Sequence, residues 1–208
     1  MGSRAGYAAP GRFLLVPARL LVLASGSGTT LQAVLDAVAE PGFPAVIVAA
    51  GTDRPGCQAM KRAADAGVAT FAVALGDFEN RADWDQALLE TITAFEPDLV
   101  VLAGFMRVIA GETVQRFKMV NTHPSLLPSF PGAHAISDAL THGVKITGVT
   151  VHRVDAGLDS GPILAQVAVP VLDDDTEDTL RARIQEAEKP LFIDTIRTLC
   201  ISIEESSA

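Results

Sequence analysis

Cysteine is nearly absent from this chain, with Cys57 and Cys200 the only two among 208 residues. Two thiols make no disulfide framework and suit a reducing compartment, so a stapled secreted scaffold is excluded and a cytoplasmic setting is expected. Basic charge is also scarce. Lys and Arg total 16 against 25 Asp and Glu, for a formal charge of −9 and a pI near 4.8. Nucleic-acid binders show a basic face, so nucleic acid is not an expected partner. Long apolar runs are missing too: none reaches the ~18 residues that a membrane span requires, and no membrane partner is expected. What the chain does have is aliphatic carbon. It is 49% apolar with only 5% aromatic and 20% charged residues, a balance that excludes a disordered chain. Its length fits one domain with a sizeable core.

The amino terminus carries Arg4 and Arg12, an apolar stretch from Phe13, and small residues at Ala24 and Ser25, the outline of a secretion signal. Pro17 and Arg19 break that stretch, and Leu20 to Ala24 run directly into Ser25-Gly26-Ser27-Gly28-Thr29-Thr30, a strand feeding a loop that cleavage would destroy. Residues 1–18 are therefore expected to be a loose extension. Residues 19–208 are expected to form a single domain, divided for convenience into halves of about 19–118 and 119–208.

Within that domain short β-rich runs alternate with helical patterns. Strands are expected at Leu20–Ala24, Ala45–Ala50, Val68–Val73, Leu99–Ala103 and Met119–Asn121, with helices at Thr30–Ala39, Gln58–Ala66, Arg81–Phe95 and Val108–Phe117. Leu31, Val34, Leu35 and Val38 recur at the three-and-four spacing of a helix face. Two further strands, Thr147–Val154 and Ile163–Val169, precede a last helix at about 176–199, whose start is marked by Asp173-Asp174-Asp175 as a solvated cap. The βαβα order predicts a mostly parallel, Rossmann-like α/β sheet with helices on both faces and right-handed connections. Ligands are expected beyond the carboxyl ends of its strands.

Three segments carry chemistry. In Ser25-Gly26-Ser27-Gly28-Thr29-Thr30 the glycines permit close backbone approach, and amides at a helix start attract phosphate. The plainer alternative is a glycine turn with Thr29 or Thr30 capping the helix. The loop is not a full dinucleotide fingerprint, because Leu31 stands where a third glycine belongs. Strand two ends in Ala49-Ala50-Gly51 with no carboxylate in place for a ribose. A Walker loop is also absent. Asn121 and His123 lie just past a strand end, where an amide and an imidazole side by side stabilise an oxyanion and move protons; alternatively the histidine only bonds a neighbouring carbonyl. Asp155 and Asp159 lie between the late strands. A carboxylate beside a histidine favours imidazolium and orients the ring, but read locally this segment is a surface turn. His134, His142 and His152 show no metal-ligand spacing with either cysteine, and no metal is expected.

Taken in order, Ser25–Gln32, Ala103–Ile109, Asn121–Pro128 and Val151–Leu164 are similar to the phosphoribosylglycinamide formyltransferases, the folate-dependent transformylases of purine synthesis, over about residues 19–200. The resemblance implies a formyltransferase-type sheet with a folate-binding loop between the late strands. It implies transfer of the formyl group of 10-formyltetrahydrofolate, as cosubstrate, to the amine of 5-phosphoribosylglycinamide. Asn121, His123 and Asp159 are then the catalytic trio. Gly28, Thr29 and Thr30 hold the phosphate, and Glu188 holds the glycinamide end. Arg81, Met106, Arg107, Val108, Ile109 and Asn121, with Asp155, Ala156, Gly157, Leu158 and Asp159, form the folate site. The implied partners are small molecules, with the chain a monomer or a homodimer. The chain departs from the pattern at Thr122, where an apolar residue is more usual, and at Thr150, which keeps the hydroxyl of a usual serine. Ile136 replaces a histidine found in some relatives, and the chain stops soon after Cys200, where many relatives continue into a further strand. The rival readings are 10-formyltetrahydrofolate hydrolase, methionyl-tRNA formyltransferase and a non-catalytic phosphoribosyl-binding module, with a nicotinamide dehydrogenase last.

Overall fold

The computed structural model describes residues 16–207; the expected loose extension lies outside the described residues as far as residue 15. The first strand, β1 (Ala18–Leu23), opens two residues earlier than the apolar pattern suggests, because the Ala18 amide already donates to the Pro44 carbonyl. The chain then runs α1 (Thr29–Ala39), β2 (Ala45–Thr52), α2 (Gln58–Asp65), β3 (Thr70–Ala72), α3 (Arg81–Ala94), β4 (Leu99–Leu102), α4 (Gly111–Arg116) and β5 (Met119–His123). It ends with α5 (Ala135–Thr141), β6 (Ile146–Arg153), β7 (Ile163–Pro170) and α6 (Glu177–Ser207). The seven strands form one sheet in the order β3-β2-β1-β4-β5-β6-β7. The strands from β3 to β5 pair in parallel, and β6 and β7 pair antiparallel. The expected mostly parallel α/β sheet is what the structure shows.

β1 illustrates why the sheet is covered on both faces. Its side chains alternate with the two-residue period of a strand. Leu20 and Val22 pack with Leu31 of α1 and with Phe192 and Ile196 of α6. Leu21 and Leu23 pack with Trp84, Leu88 and Ile92 of α3. The one polar atom of Trp84 is satisfied there, its indole N–H donating to the Val73 carbonyl at 2.8 Å.

Three local readings are corrected. The helix expected at 108–117 forms only over Gly111–Arg116, since the residues before it line a cleft instead. α5 is not anticipated by the pattern; its seven residues bury Ala135, Ile136 and Ala139, too short a stripe to stand out beside Pro131 and Gly132. The last helix begins at Glu177 and passes through Pro190 to Ser207. Thr176 takes the capping place, its Oγ1 accepting from the Thr179 amide. Asp175 is no solvated cap: it accepts from both terminal nitrogens of the Arg183 guanidinium and from the Leu172 amide, and Arg183 holds its carboxyl well below the usual carboxylate range. Among the described residues no helix is long and apolar enough to cross a membrane.

The strand order reverses direction beside β1, so the loops after β1 and β4 form a crevice at the carboxyl edge of the sheet. Gly28 sits at the entry to α1 with φ +72, and a Cβ there would lie 2.6 Å from Ala59 Cα of α2. A left-handed backbone and a contact against main chain both oppose any side chain. Gly28→Ala is therefore expected to destabilise the fold by about 2–5 kcal/mol, the sum of left-handed strain and overpacking, read by chemical denaturation.

Candidate active site at the carboxyl edge of the sheet

The glycine loop presents open backbone donors. Gly28 caps α1 through its backbone conformation, with no side-chain cap bond to the first-turn amides, so neither Thr29 nor Thr30 caps the helix. Thr30 instead donates its hydroxyl to Glu188 Oε1 across the crevice at 2.8 Å. These residues line a cavity of about 210 Å³ that also holds Ser27, Thr122 and Gln185. Burial pushes the Glu188 carboxyl above its ordinary value, opposed by the Thr30 hydrogen bond and the Lys189 charge. A raised carboxyl contributes stability that is complete below the ordinary value of 4.5 and lost as pH rises through the raised one. At pH 8 the ionised Glu188 side chain thus weakens the fold. Glu188→Gln is expected to melt about 2–4 °C above the parent at pH 8, the gap closing toward pH 4, as followed by calorimetry.

A second cavity of about 330 Å³ adjoins the first. They share Gly104, Met106, Thr122, Pro124 and Arg181 as a common wall. The second is mainly apolar, with Phe105, Val108, Ile109, Val154 and Leu158 among its lining residues. Met106, Val108 and Leu158 are more than half exposed, a greasy mouth suited to a flat ring system. Of the residues the resemblance assigned to folate, Met106 to Ile109, Asn121, Asp155, Gly157, Leu158 and Asp159 line this cavity. Arg81 and Ala156 do not. Arg81 donates to the Val108 carbonyl, pairs with Asp85 at 2.9 Å and lies over the Trp84 ring, so it braces the wall from behind. The Asp155 carboxylate is used within its own loop, accepting from the Gly157 amide and the Ser160 hydroxyl.

Asn121 and His123 alternate along β5, which places them on one face of the strand. The antiparallel register sets His152 opposite Asn121, and His152 Nε2 lies 3.2 Å from Asn121 Nδ2. Asp159, far along the chain, comes to the same spot. Its Oδ2 is 3.3 Å from His123 Nδ1 and accepts the Gly132 amide at 2.8 Å, while Oδ1 is 3.6 Å from His152 Nε2. The segment is an exposed turn, as the local reading has it, but its Asp159 carboxylate turns inward to both histidines. The adjacent His152 does most to hold the Asp159 carboxyl below its ordinary value; burial opposes it, and the Gly132 amide and the His123 charge add to the lowering. On the other side of the ring, His123 Nε2 faces the Phe130 carbonyl at 2.8 Å. A carbonyl only accepts, so Nε2 carries hydrogen, and Nδ1 toward a carboxylate is attractive only when it does too. The rigid loop ahead of His123 hangs on Thr150, whose hydroxyl donates to the Ser125 carbonyl and accepts the Leu127 amide.

The geometry agrees with what the chain is similar to. The sequence profile described as formyl transferase matches residues 18–196. The chain belongs to that family. It is 52% identical over 185 residues to the phosphoribosylglycinamide formyltransferase of Mycobacterium tuberculosis (strain ATCC 25618 / H37Rv), covering 88% of this chain and 85% of that one. It is 42% identical to the trifunctional purine biosynthetic protein adenosine-3 of Homo sapiens, over 84% of this chain and 18% of that longer protein. Among solved structures, glycinamide ribonucleotide transformylase 1 from Symbiobacterium toebii superposes with a TM-score of 0.87 at 43% identity, over 89% of each chain.

For this formyl transferase, three lining or supporting residues escaped sequence reasoning. His152 is legible only once β5 and β6 are paired in register. Arg181 precedes Ile184, Gln185 and Glu188 at helical spacing, a face signal that was available. Asp53 was missed because β2 runs on to Thr52: a carboxylate does follow that strand, but it is buried against Ser25 and Arg107 and lines neither cavity.

Proposed function

We propose that this enzyme transfers the formyl group of 10-formyltetrahydrofolate to the amine of 5-phosphoribosylglycinamide, giving formylglycinamide ribonucleotide and tetrahydrofolate in purine biosynthesis. The observation that carries this reading is that Asn121 and Asp159 line an apolar cavity that shares a wall with a second one built on the glycine loop. Two reactants seated in adjoining cavities meet there in a defined orientation, which by itself supplies much of a bimolecular rate. The names of the similar proteins support the same substrates.

In this reading the amides of Gly28, Thr29 and Thr30 bind the phosphate at the helix start, and Glu188 orients the glycinamide end. Backbone groups of Arg107–Ile109 and of the Asp155–Asp159 loop read the pterin, with Met106 and Leu158 flanking it. As the amine attacks the formyl carbon, the formyl oxygen gains charge. Asn121 Nδ2 donates to it, and the cationic His123 ring stabilises it in a site shielded from water. Asp159, ionised and facing the same ring, takes the proton released by the amine through a water molecule and passes it to the departing folate nitrogen.

The test is incubation of the protein with both substrates while folate product is followed by absorbance. Formyl transfer that depends on the ribonucleotide is expected. Formate release without the ribonucleotide would identify a hydrolase instead, and tight phosphoribosyl binding without turnover would identify a binding module.

A further inference from the structure

Outside the reacting groups, the most fully buried charge near the site is Asp53, whose side chain has no exposure at all. It follows β2, and both of its oxygens are used. Oδ1 accepts the Ser25 hydroxyl at 2.5 Å, and Oδ2 accepts Arg107 Nε at 2.7 Å. The Ser25 hydroxyl oxygen in turn accepts the Met106 amide at 2.9 Å, and the Ser25 amide donates to the Gly104 carbonyl at 3.0 Å. The result is an unbroken chain of polar contacts across the ends of three adjacent strands, β2, β1 and β4. Ser25 opens the glycine loop, and Met106 and Arg107 form part of the apolar cavity's wall.

We infer that Asp53 is a positioning residue that locks the glycine loop to the Gly104–Ile109 loop, so that a ligand in either cavity tightens binding in the other. The inference rests on the formyl-transfer reading, because it takes the two cavities to hold that reaction's two substrates. The physical argument is one of shared ordering. Each loop loses freedom when its ligand binds; loops joined through one buried carboxylate lose most of it with the first ligand, leaving less for the second. Thermodynamic linkage then requires the effect to be equal in both directions. Asp53 touches neither cavity's contents, and its effect passes through Ser25 and Arg107.

The experiment uses the full chain and titration calorimetry with a pair that cannot react, tetrahydrofolate and 5-phosphoribosylglycinamide. For the unaltered chain, saturating ribonucleotide is expected to lower the Kd of tetrahydrofolate at least about 5-fold, the lower end of usual couplings. Asp53→Asn gives two neighbouring donors only one acceptor and is expected to bring that factor to within 2-fold of unity. Ser25→Ala breaks the same path without altering any charge and is expected to do the same, which keeps the inference testable should the Asp53 variant fold poorly. A purely structural role would lower the bound fraction and leave the coupling factor unchanged. An unchanged factor in a folded Ser25→Ala protein, or independent binding of the two ligands to the unaltered chain, would overturn the inference while leaving the formyl-transfer reading intact. Binding of neither ligand by the unaltered chain would overturn both.

Discussion

Asp159→Asn is expected to lower kcat by about 10²–10⁴-fold, the range that a positioned proton-transfer group supplies, with KM for both substrates within a few-fold of the parent. The substitution bears chiefly on the chemistry because Asn suits the backbone and keeps one acceptor in place. Asp159 has φ +51, a left-handed backbone that Asp and Asn tolerate better than other side chains, and an amide oxygen retains the bond from the Gly132 amide. The amide cannot accept the amine's proton. With its oxygen kept on the Gly132 amide and beside His123 Nδ1, the amide nitrogen takes the place of the oxygen that faces His152 Nε2. Steady-state rates from folate-product absorbance, with each substrate varied in turn, separate kcat from KM. Near-normal turnover would remove Asp159 from the proton path. Stability should respond to pH with a definite sign. The Asp159 carboxyl is held below its ordinary value, chiefly by His152, so its contribution is complete above 3.8 and disappears as pH falls through the lowered value. The Asn variant should accordingly melt below the parent at pH 7, the two converging in acid.

His123→Ala is expected to lower kcat by about 10²–10³-fold, the loss typical of removing one group that stabilises a developing oxyanion. His123 is 4% exposed, so truncation also leaves a void, and melting temperature must be measured alongside activity. The discriminating result is the double variant. Because Asp159 Oδ2 faces His123 Nδ1 at 3.3 Å, the two side chains act as a unit. His123→Ala combined with Asp159→Asn should therefore fall little below the worse single variant. Multiplicative losses would show that the two groups act independently.

Much of this site can be seen in the sequence because its parts follow strands that declare themselves. The apolar runs at Leu99–Leu102 and Leu20–Ala24 locate two strand ends, and the Ser25–Thr30 and Asn121–His123 segments follow from position alone. Asp159 cannot be found that way. Thirty-six positions separate it from His123, and only the antiparallel return of β6 and β7 folds the intervening loop back over β5. The same limit hid Asp53, since its meaning depends on Ser25 and Arg107, which reach it from two other strand ends. Sequence pattern reports the period of each element faithfully; it is silent on which loops the sheet order will make neighbours. Short elements such as α5 fail for a different reason, having too few turns to display a period.

The placement of α6 has a consequence for synthesis. Phe192, Ile196 and Cys200 complete the layer over Leu20 and Val22, so β1 receives part of its cover from a helix made more than 150 residues later. Until that helix emerges, an aliphatic face at the centre of the sheet stays wet, in the state most open to aggregation and to chaperone capture. Acquisition of the native structure is thus held back until α6 has been made, even though the glycine loop and most of the parallel strands have been made long before.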